Sequence, residues 1–173
     1  MPHPAADGAN GRRWSDPLID SASGLENELG SARTYMPGPD FLDTNVLVYA
    51  YDASDPTKQH VAQDLVRRAV AGEIVTSTQV LAEFAATLLH KLSPAAHPTD
   101  VSAILDALGP IKAIVADGDT VRRAVEAHAQ YGVHFFDGMI LAAAEYGACR
   151  RILSEDFNAG QSYFGIKVEN PFV

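Results

Sequence analysis

Short β-branched segments alternate with longer amphipathic segments from residue 41 onward. The strand-like segments are residues 41–42, 73–77, 111–116, 151–154 and 166–168. Apolar residues at helical spacing predict helices at residues 46–50, 57–71, 79–92, 99–108, 119–130 and 137–146. Strands that alternate with helices form parallel sheets with both faces covered. The pattern therefore predicts an α/β fold with three α/β/α layers around a central parallel sheet of four to five strands.

The first 37 residues show no sustained hydrophobic period and are rich in Gly and Pro. We expect residues 1–37 to form a flexible N-terminal extension and residues 38–173 to form one domain. A chain of 173 residues with 47% hydrophobic content can build one sizeable core. Met36 lies just before the first strand, so one hypothesis is that translation begins there. The alternative is a genuine but poorly ordered tail, and mass spectrometry of the native protein distinguishes the two.

Charge and cysteine content exclude several classes of protein. The net charge of −9 argues against a protein that holds nucleic acid on a large basic surface. It is compatible with a nuclease whose acids bind metal, and it suits a cationic protein partner. Cys149 is the single cysteine, which excludes an internal disulfide framework and favours a cytoplasmic setting. No apolar run is long enough to span a membrane.

Four carboxylates occupy related positions in the predicted elements. Asp43 follows the first buried strand, and Asp156 follows the strand at 151–154. Glu83 lies near the start of the helix after the second strand, and Asp137 opens the apolar helix at 137–146. The carboxyl ends of parallel strands and the N-termini of the following helices meet at one edge of a sheet. We therefore expect these four side chains to lie close together.

Each carboxylate also has an ordinary explanation when it is taken alone. Glu83 could belong to a solvated helix face, Asp137 could cap its helix, and Asp156 could belong to a turn. A buried Asp43 needs a compensating partner, and three further acids cannot supply one. A divalent cation can, and an all-oxygen ligand set suits Mg²⁺ or Mn²⁺ better than zinc. The sequence thus predicts a metal site.

Two neutral side chains and one further acid lie next to these positions. Asn45 and Ser154 are predicted to orient the ligands or bound water. Whether Glu155 takes the role of Asp156 is left open by the sequence. Substrate phosphates could contact several basic residues, although paired arginines on helices are more often solvated. These residues are Arg67, Arg68, Lys91, Arg122, Arg123, Arg150 and Arg151.

Four segments together resemble a known family. They are Asp-Thr-Asn at 43–45, Val-Leu-Ala-Glu-Phe at 80–84, Phe-Asp-Gly-Met-Ile-Leu-Ala-Ala at 136–143 and Leu-Ser-Glu-Asp-Phe at 153–157. The chain from about Asp40 to its C-terminus resembles the PIN-domain nucleases, and among them the VapC-type toxins of bacterial toxin–antitoxin pairs. The leading 35 or so residues are a departure, because most such toxins lack them.

The resemblance implies a metal-dependent endoribonuclease that hydrolyses RNA phosphodiester bonds. It also implies a homodimer, and inhibition by an antitoxin whose C-terminal segment lies across the active-site groove. The matching positions imply that Asp43, Glu83 and Asp137 are catalytic metal ligands. Asp156 would be a ligand directly or through water, with Asn45 and Ser154 in support.

Two alternatives compete with the nuclease hypothesis. A PIN fold could serve as a binding module without turnover, and loss of one of the acids would have been its sign in the sequence. A haloacid-dehalogenase-like phosphatase also begins with Asp at a strand end. That enzyme needs a second Asp two residues later as a general acid, where this chain has Asn45.

Overall fold

The computed structural model describes residues 38–91 and 95–173. The predicted extension at 1–37 and the predicted helix end at Leu92 lie outside these residues. The strands are β1 Asp40–Leu42, β2 Ile74–Ser77, β3 Ala113–Ile114, β4 Arg151–Leu153, β5 Ser162–Tyr163 and β6 Ile166–Glu169. The helices are α1 Thr44–Tyr51, α2 Pro56–Val70, α3 Thr78–His90, α4 Pro98–Leu108, α5 Gly118–Tyr131 and α6 Phe135–Tyr146.

The strands form one sheet in the order β3-β2-β1-β4-β6-β5. Every pair is parallel except β5 with β6, which is antiparallel. The chain moves outward from β1 to β3 and then returns to β4 on the other side of β1. Ligands of open α/β sheets bind at such a reversal, outside the carboxyl ends of the strands. The topology therefore predicts a ligand-binding site in the crevice beyond the carboxyl ends of β1 and β4.

Four helices cover one face of the sheet, and two helices cover the other. Crossover connections between parallel strands are right-handed, so connections that run in opposite directions lie on opposite faces. The outward connections carry α1 to α4, and the return connection carries α5 and α6. This arrangement is the predicted three-layer α/β/α fold.

The core follows from the apolar strands and from one helix that is apolar on nearly every face. Phe41, Leu42 and Ile152 are fully buried at the centre of the sheet. In α6 the run Gly138–Ala144 is buried throughout. A Cβ atom on Gly138 would lie 2.6 Å from the backbone oxygen of Ala124, so glycine permits the close approach of α6 to α5. Burial of this helix brings its first turn to the crevice.

One predicted strand is shorter than expected, and one observed strand was not predicted. The predicted strand at 111–116 pairs only at Ala113 and Ile114, because Ile111 closes a turn onto Leu108 and Val115 is exposed. The sheet has six strands where four to five parallel strands were expected. The additional strand β5 forms a two-residue hairpin with β6, turned by positive φ angles at Phe164 and Gly165.

None of the helices that the structure describes is both long and apolar enough to cross a bilayer.

Candidate active site

Asp43 lies at the carboxyl end of β1 and is the N-cap of α1. Its side chain is 3% exposed. One carboxylate oxygen accepts a hydrogen bond of 2.6 Å from the backbone N–H of Thr44. The other accepts hydrogen bonds from Asn45 Nδ2, at 3.0 Å, and from the Ser154 hydroxyl. Among the described residues, the hydrogen-bonding partners of this buried carboxylate are three neutral groups and no cation.

Asn45 and Ser154 join the ends of the two central strands. Asn45 Nδ2 also donates to Ser154 Oγ at 3.0 Å, and Asn45 Oδ1 accepts from the backbone N–H of Glu155 at 3.3 Å. The hydroxyl of Ser154 in turn accepts from the backbone N–H of Asp156 at 3.1 Å. These contacts fix Asp43 against the loop that carries Asp156, which is the orienting role predicted for both residues.

Glu83 faces the same crevice from the second turn of α3. Its Oε2 accepts a hydrogen bond of 3.1 Å from the Thr44 hydroxyl, and its Oε1 accepts one of 2.8 Å from Gln79 Nε2. Gln79 Nε2 also donates to the backbone oxygen of Phe136 at 3.1 Å. Gln79 therefore links the helix that carries Glu83 to the first turn of α6.

The prediction that Asp137 opens its helix was wrong. The helix begins at Phe135 with His134 as N-cap, and Gly138 N–H already donates to His134 O at 2.9 Å. Phe135 and Phe136 are helical and precede the buried run Gly138–Ala144, so Asp137 lies in the first turn. A half-buried side chain in this position faces the cleft and does not cap the helix.

Glu155 and Asp156, between which the sequence left the choice open, have different surroundings in the structure. Glu155 forms an ion pair with Lys58 of α2 and lies outside the residues that line the cleft. Asp156 lines the cleft. The structure thus brings together all four predicted carboxylates, with Glu155 serving to hold the loop.

A cleft of about 670 Å³ contains the four acids together with Asp52. The pKa of Asp43 is raised to about 6, chiefly by burial; the hydrogen bonds from Ser154 and Thr44 oppose this shift, and the charges of Asp156 and Glu83 add to it. Burial also raises the pKa of Asp137; the charge of His134 opposes this, while the charges of Asp156 and Glu83 add to it. The carboxylates in the cleft therefore repel one another, and this repulsion disfavours their charged forms.

The donor set fits a hard divalent cation. Carboxylate, amide and hydroxyl oxygens are the ligands that Mg²⁺ and Mn²⁺ accept. The Gln79 Oε1 atom is buried beside Glu83 without a hydrogen-bond partner in the described part of the chain, so it is free to accept a hydrogen bond from a ligand in the cleft. In residues 38–91 and 95–173 no three such side chains already converge on one point. Mutual repulsion of uncompensated carboxylates favours such separated side chains.

The arginines that were candidates for phosphate binding are occupied elsewhere. Each forms an ion pair with a carboxylate of this chain: Arg67 with Asp64, Arg68 with Glu73, Arg122 with Asp119, Arg123 with Glu126 and Glu145, and Arg150 and Arg151 with Asp40. Lys91 remains, and it lines the cleft. The cleft is therefore acidic inside with a lysine on its wall.

Asp40 at the other end of β1 shows how this chain treats a buried carboxylate that is purely structural. It is 1% exposed, as buried as Asp43. Burial would raise its pKa, but hydrogen bonds and charges from Arg151 and Arg150 outweigh burial and lower it. In residues 38–91 and 95–173 no such cation is hydrogen-bonded to Asp43.

Sequence analysis did not identify Thr44 and Gln79 as residues that position Glu83. Gln79 precedes Glu83 by four residues, a spacing that places both on one helix face. That spacing is a usable signal, although it is common on solvated helices. The hydrogen bond from Thr44 joins residues 39 positions apart and depends on the packing of α1 against α3.

A mostly parallel sheet with a cluster of four acids at its reversal point defines a class of metal-site α/β proteins. A family model for the PIN domain matches residues 41–161, and the chain belongs to the PIN domain family. No curated protein matches the chain significantly in sequence.

Several solved structures share the fold at low identity. A toxin–antitoxin complex from Klebsiella pneumoniae is 16% identical, covers 76% of this chain and 97% of its own, and has a TM-score of 0.55. VapC20 from Mycobacterium tuberculosis, a toxin that cleaves the sarcin–ricin loop, is 20% identical with coverages of 68% and 91% and a TM-score of 0.51. VapBC2 from Rickettsia felis, bound to a promoter DNA fragment, is 20% identical with coverages of 76% and 97% and a TM-score of 0.52.

Proposed function

We propose that this PIN-domain protein is a metal-dependent endoribonuclease that hydrolyses RNA phosphodiester bonds. The observation that carries the proposal is the convergence of Asp43, Glu83, Asp137 and Asp156 on one cleft, with Asp43 buried and without a cationic partner. The other buried carboxylate at the sheet, Asp40, is neutralised by arginines. A cluster of acids at a ligand-binding edge, with no cation paired to the buried Asp43 among the described residues, is the arrangement that a metal nuclease requires.

The residues of the cleft would divide the work of catalysis. Bound Mg²⁺ or Mn²⁺ supplies an activated water and neutralises charge that develops on the phosphate. Asp43, Glu83 and Asp137 would hold the ion, with Asp156 contributing directly or through water. Asn45 and Ser154 keep the Asp43 carboxylate in one orientation, and Gln79 does the same for Glu83.

The protein would act as the toxin of a toxin–antitoxin pair. Neighbouring structures include a toxin–antitoxin complex and VapBC2 with its promoter DNA, and VapC20 is an RNA-cleaving toxin. By this likeness we infer a cognate antitoxin, a homodimer and a cytoplasmic setting. The acidic surface, with a net charge of −9, suits a cationic antitoxin segment.

The contacts of Asn45 argue against the phosphatase alternative, and turnover distinguishes a nuclease from a binding module. Asn45, at the position of the phosphatase general acid, donates through its amide to Asp43 and Ser154, so it cannot deliver a proton there. A binding module would bind RNA without cutting it.

The direct test is cleavage of purified bacterial RNA by the wild type and by Asp43→Asn, with and without Mg²⁺. The matched control is Asp64→Asn, which removes an exposed carboxylate that pairs with Arg67. We expect metal-dependent cleavage by the wild type and the control, and a loss of at least about 100-fold in Asp43→Asn. Equal cleavage by all three proteins, or cleavage that survives chelation of the metal, would refute the proposal.

A further inference from the structure

An exposed aromatic ring lies at the mouth of the acidic cleft. Phe136 is the second residue of α6 and directly precedes Asp137, yet its side chain is 54% exposed. Single exposed apolar side chains are common on protein surfaces, so the position of this ring beside the acids is the informative observation. Phe136 lines the same cleft as the four acids.

This ring is supported from within the protein. Phe135 contacts it edge-on at a centroid distance of 5.4 Å, and His134 lies 5.9 Å away with an interplanar angle of 31°. The backbone oxygen of Phe136 accepts the hydrogen bond from Gln79. Neighbouring rings and a fixed backbone hold the phenylalanine in place while leaving much of its surface open to the cleft.

Lys91 provides a positive charge at a second point on the cleft wall. Glu83, Thr87 and Lys91 follow one another at intervals of four residues, so they lie along one face of α3. The interval from Glu83 to Lys91 corresponds to about 12 Å along the helix axis. Lys91, the C-cap residue of α3, is therefore far enough from Glu83 for its side chain to contact a phosphate other than the one that is cut.

We propose that Phe136 and Lys91 form a subsite for an unpaired ribonucleotide next to the scissile phosphate, with the base stacked on Phe136 and a neighbouring phosphate bound by Lys91. The inference rests on the proposed nuclease function and specifies its substrate as single-stranded RNA. Only an unpaired, unstacked base exposes a face to an aromatic side chain. Stacking needs no charge, so it suits a domain in which the arginines of residues 38–91 and 95–173 are engaged in ion pairs with its own carboxylates.

Binding of a fluorescein-labelled ten-nucleotide oligouridylate tests the subsite. Every variant carries Asp43→Asn as well, so that cleavage is blocked equally in all. Phe136→Ala and Phe136→Leu should weaken binding by roughly 5- to 150-fold, the range measured for loss of one stacked base. Phe136→Trp keeps a π face and should retain the affinity. The leucine variant separates stacking from simple apolar contact.

The salt dependence of RNA affinity distinguishes the contribution of Lys91 from that of Phe136. Lys91→Gln should weaken binding and reduce the slope of log affinity against log salt by about 0.7, the value for one phosphate contact on a single strand. Phe136→Ala should leave that slope unchanged. Inorganic polyphosphate, which has charge and no bases, should bind the Phe136 variants as well as the parent. A blunt-ended duplex of the same length should bind weakly and should not distinguish Phe136→Ala from its parent.

Unchanged oligouridylate affinity in both Phe136→Ala and Phe136→Leu would overturn the subsite and leave the exposed ring to a protein contact. The same holds if the parent does not bind oligouridylate at all. Failure of the nuclease proposal has a different signature, because the chain would then bind single-stranded RNA through Phe136 without cutting it in Mg²⁺. Melting temperatures of the variants check that each is folded.

Discussion

The burial of Asp43 predicts a pH-dependent loss of stability in the metal-free protein. Its pKa is raised from 3.8 to about 6 in the folded state. A group whose pKa is raised on folding contributes its full stability below the unfolded pKa and loses it as the pH rises through the folded pKa. A difference of about 2 units is worth about 3 kcal/mol, which the metal-free native state has lost at neutral pH.

Unfolding can be measured only at pH values above the unfolded pKa of Asp43. Only part of the full effect of about 3 kcal/mol on the free energy of unfolding falls in that range. Linkage predicts that Asp43 costs the metal-free wild type about 1.5 kcal/mol between about pH 5 and about pH 7.5. Asp43→Asn cannot ionise and should not show this loss. The asparagine also leaves one donor around the side chain without an acceptor, so the two proteins differ by a constant offset, and the change with pH is the informative quantity.

Urea unfolding of both proteins in the presence of a chelator measures this difference directly. Asp64→Asn serves as the control, because its carboxylate is exposed and should follow the wild type. We expect the wild type to lose about 1.5 kcal/mol relative to Asp43→Asn on going from about pH 5 to about pH 7.5. Parallel pH profiles for the two proteins would show that Asp43 is not destabilised by burial and would refute the reasoning.

Three further predictions concern the metal and the residues around it. Millimolar Mg²⁺ or Mn²⁺ should raise the melting temperature of the wild type and not of Asp43→Asn, because the ion binds only the native state; equal shifts would contradict this. Gln79→Ala should weaken Mn²⁺ binding in calorimetry by about 10-fold or more, the usual effect of losing a residue that orients a ligand, whereas Thr87→Ala on the same helix face should not. Asp40→Asn should lower the free energy of unfolding by about 2 kcal/mol, because the ion pairs of this buried carboxylate with Arg150 and Arg151 are lost, while Mn²⁺ affinity stays unchanged; a weakened affinity would place Asp40 in the site.

Features that depend on local chain chemistry were predictable from the sequence. An apolar strand followed by Asp43, and a helix stopped by Gly132 at a φ of 68°, both appear where the pattern indicates them. The clustering of the acids was also predictable, since parallel strands bring their carboxyl ends to one edge. These inferences needed only periodicity and topology.

Features that depend on packing between distant segments were not predictable. The start of α6 at Phe135 follows from burial of the whole helix against α5, and no local signal marks it. The hairpin of β5 is only two residues long, too short for a periodic pattern. The partners of Glu83 and Glu155 depend on how α1, α2 and α3 pack, so the roles of Thr44, Gln79 and Lys58 required the three-dimensional structure.

The measurement that tests the central claim most directly is RNA end mapping after expression in a bacterial host. The wild type, Asp43→Asn and Asp64→Asn are induced in parallel, growth is followed, and new RNA ends are sequenced. The proposed function predicts growth arrest and discrete new ends in single-stranded RNA segments for the wild type and Asp64→Asn alone. Identical RNA ends in cells expressing the wild type and Asp43→Asn would contradict it.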